Sequence, residues 1–138
     1  MAVLDLQTIR YINLLDEKSR VKTSKCFMYK GIIIFAVPGF LVSKAIGVNA
    51  SNVRYIQEKL GKKVKIIKEA SGISDAERFI RDIVSPVQFR SLELGDKEII
   101  IMAGSMQNKA MLLGREKKRF EELKEILKNT FGLELRVI

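Results

Sequence analysis

The sequence contains no histidine and no tryptophan, and it has a single cysteine, Cys26. Without histidine, Ser-His-Asp and Cys-His catalysis, histidine-ligated metal sites and zinc-deaminase chemistry are excluded. One cysteine permits neither an intramolecular disulfide nor a cysteine-rich metal site, so the reducing cytoplasm is the expected location. The P-loop pattern Gly-x-x-x-x-Gly-Lys-Ser/Thr is also absent, which excludes that class of GTPase and ATPase. We expect a non-enzymatic protein with no cofactor, no metal and no small-molecule substrate.

Long apolar runs are missing as well. The longest one, residues 31–42, is interrupted by Pro38-Gly39, and it is far shorter than the roughly 20 residues that a membrane-spanning helix needs. Asp5 and Arg10 stand where a secretory signal peptide would require an apolar segment. The sequence therefore predicts a protein without a membrane partner.

Positive charge is abundant. The 138 residues include 25 Lys or Arg and 16 Asp or Glu, for a net charge of +9. The apolar fraction of 47% and the charged fraction of 30% are typical of globular chains. The length suits one ordinary domain or two very small ones. A basic balance of this size favours polyanionic partners such as nucleic acid.

The chain resembles itself at an offset of 67 residues. A basic residue before an isoleucine run, a glycine and the apolar stripe of a helix all recur in this one register. The matched residues are Lys30 and Lys97, 32–34 and 99–101, Gly47 and Gly114, Val53 and Phe120, Ile56 and Leu123, and Leu60 and Leu127. Agreement across three kinds of element indicates an internal repeat. We predict two domains, 1–69 and 70–138.

Hydrophobic periodicity predicts the order α-β-β-α-α-β in each copy. The expected strands are 26–29, 32–37 and 63–68 in the first copy, and 87–92, 98–103 and 133–138 in the second. Short apolar helices are expected at 40–46 and 106–113, each followed by a glycine turn and a longer amphipathic helix. The uninterrupted isoleucine runs suggest strands that are covered on both faces or packed beneath helices. The fold class is α+β, with each three-stranded sheet covered by helices.

The turn between the paired helices is the place where a ligand could bind. A helix N-terminus presents unpaired backbone N–H groups and a partial positive charge. A glycine before that terminus lets a phosphate backbone approach closely, because no side chain stands in the way.

Segment 44–53, with Ile46-Gly47-Val48-Asn49-Ala50 within it, resembles the Ile-Gly-x-x-Gly segment of type II KH domains. Two such units in succession resemble the tandem KH part of the NusA transcription factors, in particular the short archaeal NusA-like proteins, over essentially the whole chain. The resemblance implies two type II KH domains in tandem that bind single-stranded RNA through KH grooves. It further implies a role in transcription termination or antitermination as a non-enzymatic factor. RNA polymerase is the other partner that we consider.

Both loops depart from the family's pattern. The last glycine of the motif is Ala50 in the first copy and Lys117 in the second, and Glu116 adds a negative charge to the second loop. Ala50 is expected to be a mild change if its φ is negative. These changes weaken the first loop, and the second is not expected to clamp RNA well.

The distribution of charge also favours the first copy over the second. Residues 1–69 carry 13 basic and 5 acidic residues, a net of +8, whereas residues 70–138 carry 12 and 11, a net of +1. We therefore predict the main RNA site in the first copy and a weaker one in the second. The candidate residues of the first site are Lys44, Ile46, Gly47, Val48, Asn49, Ala50, Val53, Arg54, Lys62, Lys63 and Lys65. Those of the second site are Lys109, Gly114, Arg115, Glu116, Lys117 and Lys118.

A second interpretation stays open at this point. The altered loops favour a protein-interaction module that has lost much of its clamp and docks on RNA polymerase or another protein. The charge of the first copy favours RNA binding. The cluster at Lys62 and Lys63 fits either a phosphate-binding patch or an ordinary solvated surface.

Overall fold

The computed structural model describes residues 5–138 and divides the chain into two compact units, with the division between Ala70 and Ser71. Within the described residues the architecture is α+β, with six α-helices and two three-stranded sheets. Residues 1–4 of the predicted first domain lie outside the described part of the chain.

The first unit follows the predicted order α-β-β-α-α-β. Its elements are α1 (Leu6–Ser19), β1 (Lys25–Tyr29), β2 (Ile32–Val37), α2 (Val42–Ile46), α3 (Ser51–Leu60) and β3 (Val64–Lys68). Short 3-10 turns over Gly39–Leu41 and Val48–Ala50 precede α2 and α3. The sheet order is β1-β2-β3, with β2 antiparallel to β1 and parallel to β3. Asp5 caps α1 because its carboxylate accepts a hydrogen bond of 2.7 Å from the Thr8 N–H.

All three helices of the first unit contribute to one apolar core. α1 supplies Tyr11 and Leu15, α2 supplies Ala45 and α3 supplies Ile56, and they pack with alternate residues of β2. Every residue from Ile33 to Val37 is buried. The expectation that this isoleucine-rich strand is covered on both faces is therefore confirmed, because successive side chains point to opposite faces.

The second unit repeats the order. Its elements are α4 (Ala76–Val84), β4 (Ser91–Leu94), β5 (Glu98–Met102), α5 (Met106–Leu113), α6 (Lys118–Phe131) and β6 (Glu134–Val137). β5 is antiparallel to β4 and parallel to β6. Unlike β2, β5 has one buried face, since Ile99 and Ile101 are buried and Ile100 between them is half-buried.

The predicted strand at 87–92 is wrong in position. Residues 85–90 form a turn in which the Val87 N–H donates to the Val84 carbonyl at 2.9 Å. The Arg81 guanidinium lies 4.0 Å from the centroid of the Phe89 ring and donates to the Phe89 carbonyl at 3.0 Å. These contacts fix the turn, so that the strand begins only at Ser91.

The repeat in space differs from the repeat in sequence by one residue along the central strands. Ile33 pairs with Val64, three residues after Gly61, and Ile99 pairs with Leu135, three residues after Gly132. Ile33 is therefore equivalent to Ile99, an offset of 66, although the two loop glycines are 67 apart. The extra residue is accommodated in the segment that leads from β5 through α5.

Cys26 is a half-buried free cysteine in β1. Burial raises the pKa of the Cys26 thiol to about 12, with a smaller contribution from the negative charge of Asp5, so the reactive thiolate is scarce at neutral pH. None of the helices in residues 5–138 is long and apolar enough to cross a bilayer.

Candidate functional site

The loop between α2 and α3 has an unusual backbone. Gly47, Asn49 and Ala50 all have positive φ, at 84°, 55° and 59°. The Gly47 N–H ends α2 by donating to the Ser43 carbonyl at 3.0 Å, and the Ala50 N–H donates back to the Gly47 carbonyl at 3.0 Å. α3 then begins directly at Ser51, so the loop lies on the positive end of its helix dipole.

Gly47 is required here by both conformation and space. A Cβ at this position would lie 2.7 Å from the Ser51 hydroxyl oxygen and 2.9 Å from the Asn52 backbone nitrogen. The close approach of the loop to the first turn of α3 is therefore possible only with glycine.

The loop between α5 and α6 has the same shape. Gly114, Glu116 and Lys117 have φ values of 73°, 57° and 59°, and the Lys117 N–H donates to the Gly114 carbonyl at 3.1 Å. The two loops therefore share one conformation although only their first residue is identical.

Alanine in place of the motif's last glycine would be a mild change only at a negative φ, and Ala50 does not meet this condition. Its φ is +59°, in the left-handed region, where an L-residue with a Cβ costs roughly 1–2 kcal/mol. Lys117 occupies the same region. The last position of each loop therefore keeps the conformation that glycine would adopt most easily, although the residue is alanine in one loop and lysine in the other.

We expect Ala50→Gly to stabilise the protein by roughly 0.5–1 kcal/mol. Relief of the left-handed strain outweighs the added freedom of glycine in the unfolded chain, which costs about 0.4–1 kcal/mol. Urea unfolding monitored by circular dichroism measures the change. Ala110→Gly is the matched control, because Ala110 is exposed inside α5 and glycine there should destabilise by about 1 kcal/mol. Equal loss of stability in both variants would contradict the strain at Ala50.

The surroundings of the first loop are positively charged. Lys44 on α2 and Arg54 in the first turns of α3 are exposed, and neither forms an ion pair with any residue in 5–138. No Asp or Glu occurs from residue 18 to residue 57, a stretch that holds seven Lys or Arg. An anion at the loop would meet cations and backbone N–H groups without a nearby carboxylate from this stretch.

The lysines after α3 lie elsewhere. α3 has ten residues and is about 15 Å long, so Lys62 and Lys63 are at the far end of this helix from the loop. Both are exposed, whereas Lys65 is half-buried in β3 opposite Ile34. The structure therefore places Lys44 and Arg54 beside the loop and does not bring these three lysines to it.

The apolar candidates of the first site, Ile46 and Val53, lie partly in the core. Ile46 and Val53 are half-buried, and Val53 packs against the first unit's core. Ile56, one turn further along α3, is fully buried and is a core residue. Val48, in contrast, is 81% exposed at the tip of the loop.

The second loop has mixed charge. Glu116 lies within it, and Arg119 in the first turn of α6 is engaged in an ion pair with Glu122. The exposed residues Lys109, Arg115, Lys117 and Lys118 supply its cations. A shallow groove of about 420 Å³ beside α6, which Lys118 lines, contains four glutamates as well as three lysines. This surface offers an anion much less net attraction than the first loop does.

Asn52 is a site residue that the sequence analysis missed. Its side-chain amide donates a 3.1 Å hydrogen bond to the Lys44 carbonyl, which ties the first turn of α3 to α2 and fixes the loop between them. An asparagine two residues inside a helix, next to a serine, reads only as capping chemistry, so nothing in the local pattern indicates this contact.

Comparison with known proteins gives a distant relationship. No protein-family model matches the sequence. The chain is 27% identical over 128 residues to the "Probable transcription termination protein NusA" of Methanocaldococcus jannaschii, a match that covers 91% of this chain and 68% of that protein.

Among solved structures, the crystal structure of APE1850 superposes with a TM-score of 0.68 at 22% identity, covering 98% of this chain and 100% of that one. This likeness concerns the fold alone. Together with the α-β-β-α-α-β order of each unit, the comparisons support a distant NusA-like, KH-type relationship for this chain.

Proposed function

We propose that the protein is an RNA-binding factor that acts in transcription, built from two type II KH domains in tandem. The observation that carries the proposal is the pair of helix–loop–helix elements whose loops share the same positive-φ conformation. The first of these loops lies in residues 18–57, a stretch that has seven Lys or Arg and no Asp or Glu. Such a loop holds the phosphate backbone of about four nucleotides of single strand, while unstacked bases contact the adjoining surface.

The first unit is the main binding unit in this proposal. Phosphates lie over Gly47–Ala50 and the N-terminus of α3, with Lys44 and Arg54 as the flanking cations. Lys62, Lys63 and Lys65 extend the positive surface along the first unit rather than completing the loop site. The second loop contributes weakly, because of its carboxylates.

The physiological role follows the distant NusA relative. We propose action in transcription termination or antitermination, in the cytoplasm and without catalysis, with RNA polymerase as a protein partner. The alternative, a module that only docks on polymerase or another protein, draws support from the loss of glycine at Ala50 and Lys117.

A salt titration separates the two functions. We expect a fluorescein-labelled, unstructured 12-nucleotide RNA to bind with a log Kd that rises linearly with log salt. Four phosphate contacts correspond to a slope of about 3, since each contributes about 0.7 for a single strand. A hairpin of the same composition, with its bases paired, is the control and should bind more weakly. Absence of saturable binding to the single strand at low salt would leave the docking module as the function.

A further inference from the structure

Phe40 is exposed in a way that the other phenylalanines are not. Its side chain is 85% accessible, whereas the remaining six phenylalanines are buried or half-buried. Burial of a phenylalanine side chain stabilises a folded protein, and this fold does not gain that stabilisation at Phe40. A single exposed apolar residue is common in itself, so its setting decides its meaning.

The backbone around Phe40 is firmly held. It lies in the 3-10 turn Gly39–Leu41, which the Leu41 N–H closes by donating to the Pro38 carbonyl at 2.9 Å. Leu41 packs against the core of the unit. The aliphatic stem of Lys68 lies so close over Gly39 that a Cβ there would be 3.0 Å from its Cε and 3.1 Å from its Cδ. The turn that carries the ring is therefore closed by a hydrogen bond and packed at the residue on either side of Phe40.

Phe40 lies at the start of the helical segment that leads to the loop. Its 3-10 turn, Gly39–Leu41, is followed directly by α2, and Lys44 comes four residues after Phe40; both side chains are exposed. Residues at this spacing are neighbours on a helical surface. α2 then ends at Gly47, and the exposed Val48 follows at the tip of the loop. An exposed aromatic ring and an exposed cation therefore precede the loop on one short helical segment.

We propose that Phe40 is a stacking platform for an unpaired RNA base, so that the bound strand runs from the Gly47–Ala50 loop along α2 to this ring. The inference rests on the proposed binding of single-stranded RNA. Aromatic rings at the side of a basic path are the usual means by which proteins hold splayed bases, and stacking tolerates any base because each has a π-face. Met106, which is 90% exposed at the corresponding start of α5, has no such ring.

The lack of tryptophan in the chain allows a direct test. Phe40→Trp introduces the only tryptophan of the chain, whose fluorescence can be excited separately from that of the three tyrosines. We expect the 12-nucleotide RNA to quench it along the same saturation curve that labelled RNA shows by anisotropy. Met106→Trp is the matched control at an equally exposed position, and we expect it to be quenched much less over the same titration, because the second loop contributes only weakly to binding. Unchanged fluorescence of the Phe40→Trp variant at RNA saturation would overturn the proposal.

Affinity and salt dependence give an independent readout. Phe40→Ala and Phe40→Leu should each weaken RNA binding by roughly 5- to 150-fold, the effect of losing one stacked base, with the salt slope unchanged because no phosphate contact is lost. Circular dichroism should show unaltered folding, since the side chain is exposed. If the wild-type protein binds RNA and both variants bind it with the same affinity, the assignment of Phe40 as a stacking platform is wrong and the proposed RNA binding stands. If wild-type protein does not bind RNA, the proposed function fails first.

Discussion

Placing aspartate at Val48 and Asn49 together is expected to reduce RNA affinity by at least about 30-fold. The two carboxylates would face the bound phosphates, and each like-charge contact costs about 1 kcal/mol even in a high-dielectric setting. Fluorescence anisotropy with the labelled 12-nucleotide RNA measures the loss. We do not expect added positive charge elsewhere on the protein to restore the affinity, because the repulsion acts locally at the loop.

We expect this double substitution to leave the loop conformation intact. Val48 is exposed and lies outside the positive-φ positions, and aspartate tolerates the left-handed conformation of Asn49. The second loop already holds an acidic residue, Glu116, at the position equivalent to Asn49 with nearly the same φ. Folding is therefore not at risk, and a change in affinity reports on RNA contact.

Two controls make the result specific. Serine at Val48 and Asn49 changes the same side chains without adding charge, and it should retain most of the affinity. Aspartate at Arg115 and Lys117 changes the net charge by twice as much, yet we expect it to weaken binding less, because the second loop already carries mixed charge. The reverse order of the two aspartate variants would place the RNA in the second unit, and unchanged affinity in both would remove the loops from the interface.

Truncation of the two equivalent core residues of the long helices is expected to cost roughly 2–5 kcal/mol of unfolding free energy. Ile56 in α3 and Leu123 in α6 are both 0% exposed. Replacement by alanine removes buried apolar surface and leaves a cavity that a close-packed core fills only in part. Urea unfolding of Ile56→Ala and Leu123→Ala, followed by circular dichroism, measures the loss.

Exposed positions on the same helices provide the comparison. Glu58→Ala in α3 and Glu125→Ala in α6 change exposed side chains and should alter stability by no more than about 0.5 kcal/mol. An unchanged urea midpoint for either core variant would mean that the buried face of that helix is assigned wrongly.

The interpretation of Ile56 shows how sequence and structure divide the problem at a single helix. The stripe Val53, Ile56 and Leu60 predicts correctly which face of α3 meets the sheet, because helical periodicity places these residues together. It does not rank them by burial. Only packing against α1 and β2 separates fully buried Ile56 from half-buried Val53.

The sequence by itself determined the element order, the internal repeat and the concentration of positive charge in the first half, because these follow from periodicity and composition. Tertiary structure decided the rest. Ala50 adopts the left-handed conformation where the loop closes onto α3, and the intrinsic conformational preference of alanine would not indicate it. The length of α3 separates Lys62 from the loop, and hydrogen bonding of the sheet sets the 66-residue offset between the central strands. The exposure of Phe40 is likewise a tertiary property, since an apolar run predicts burial and only the packing of its neighbours shows which member is left outside.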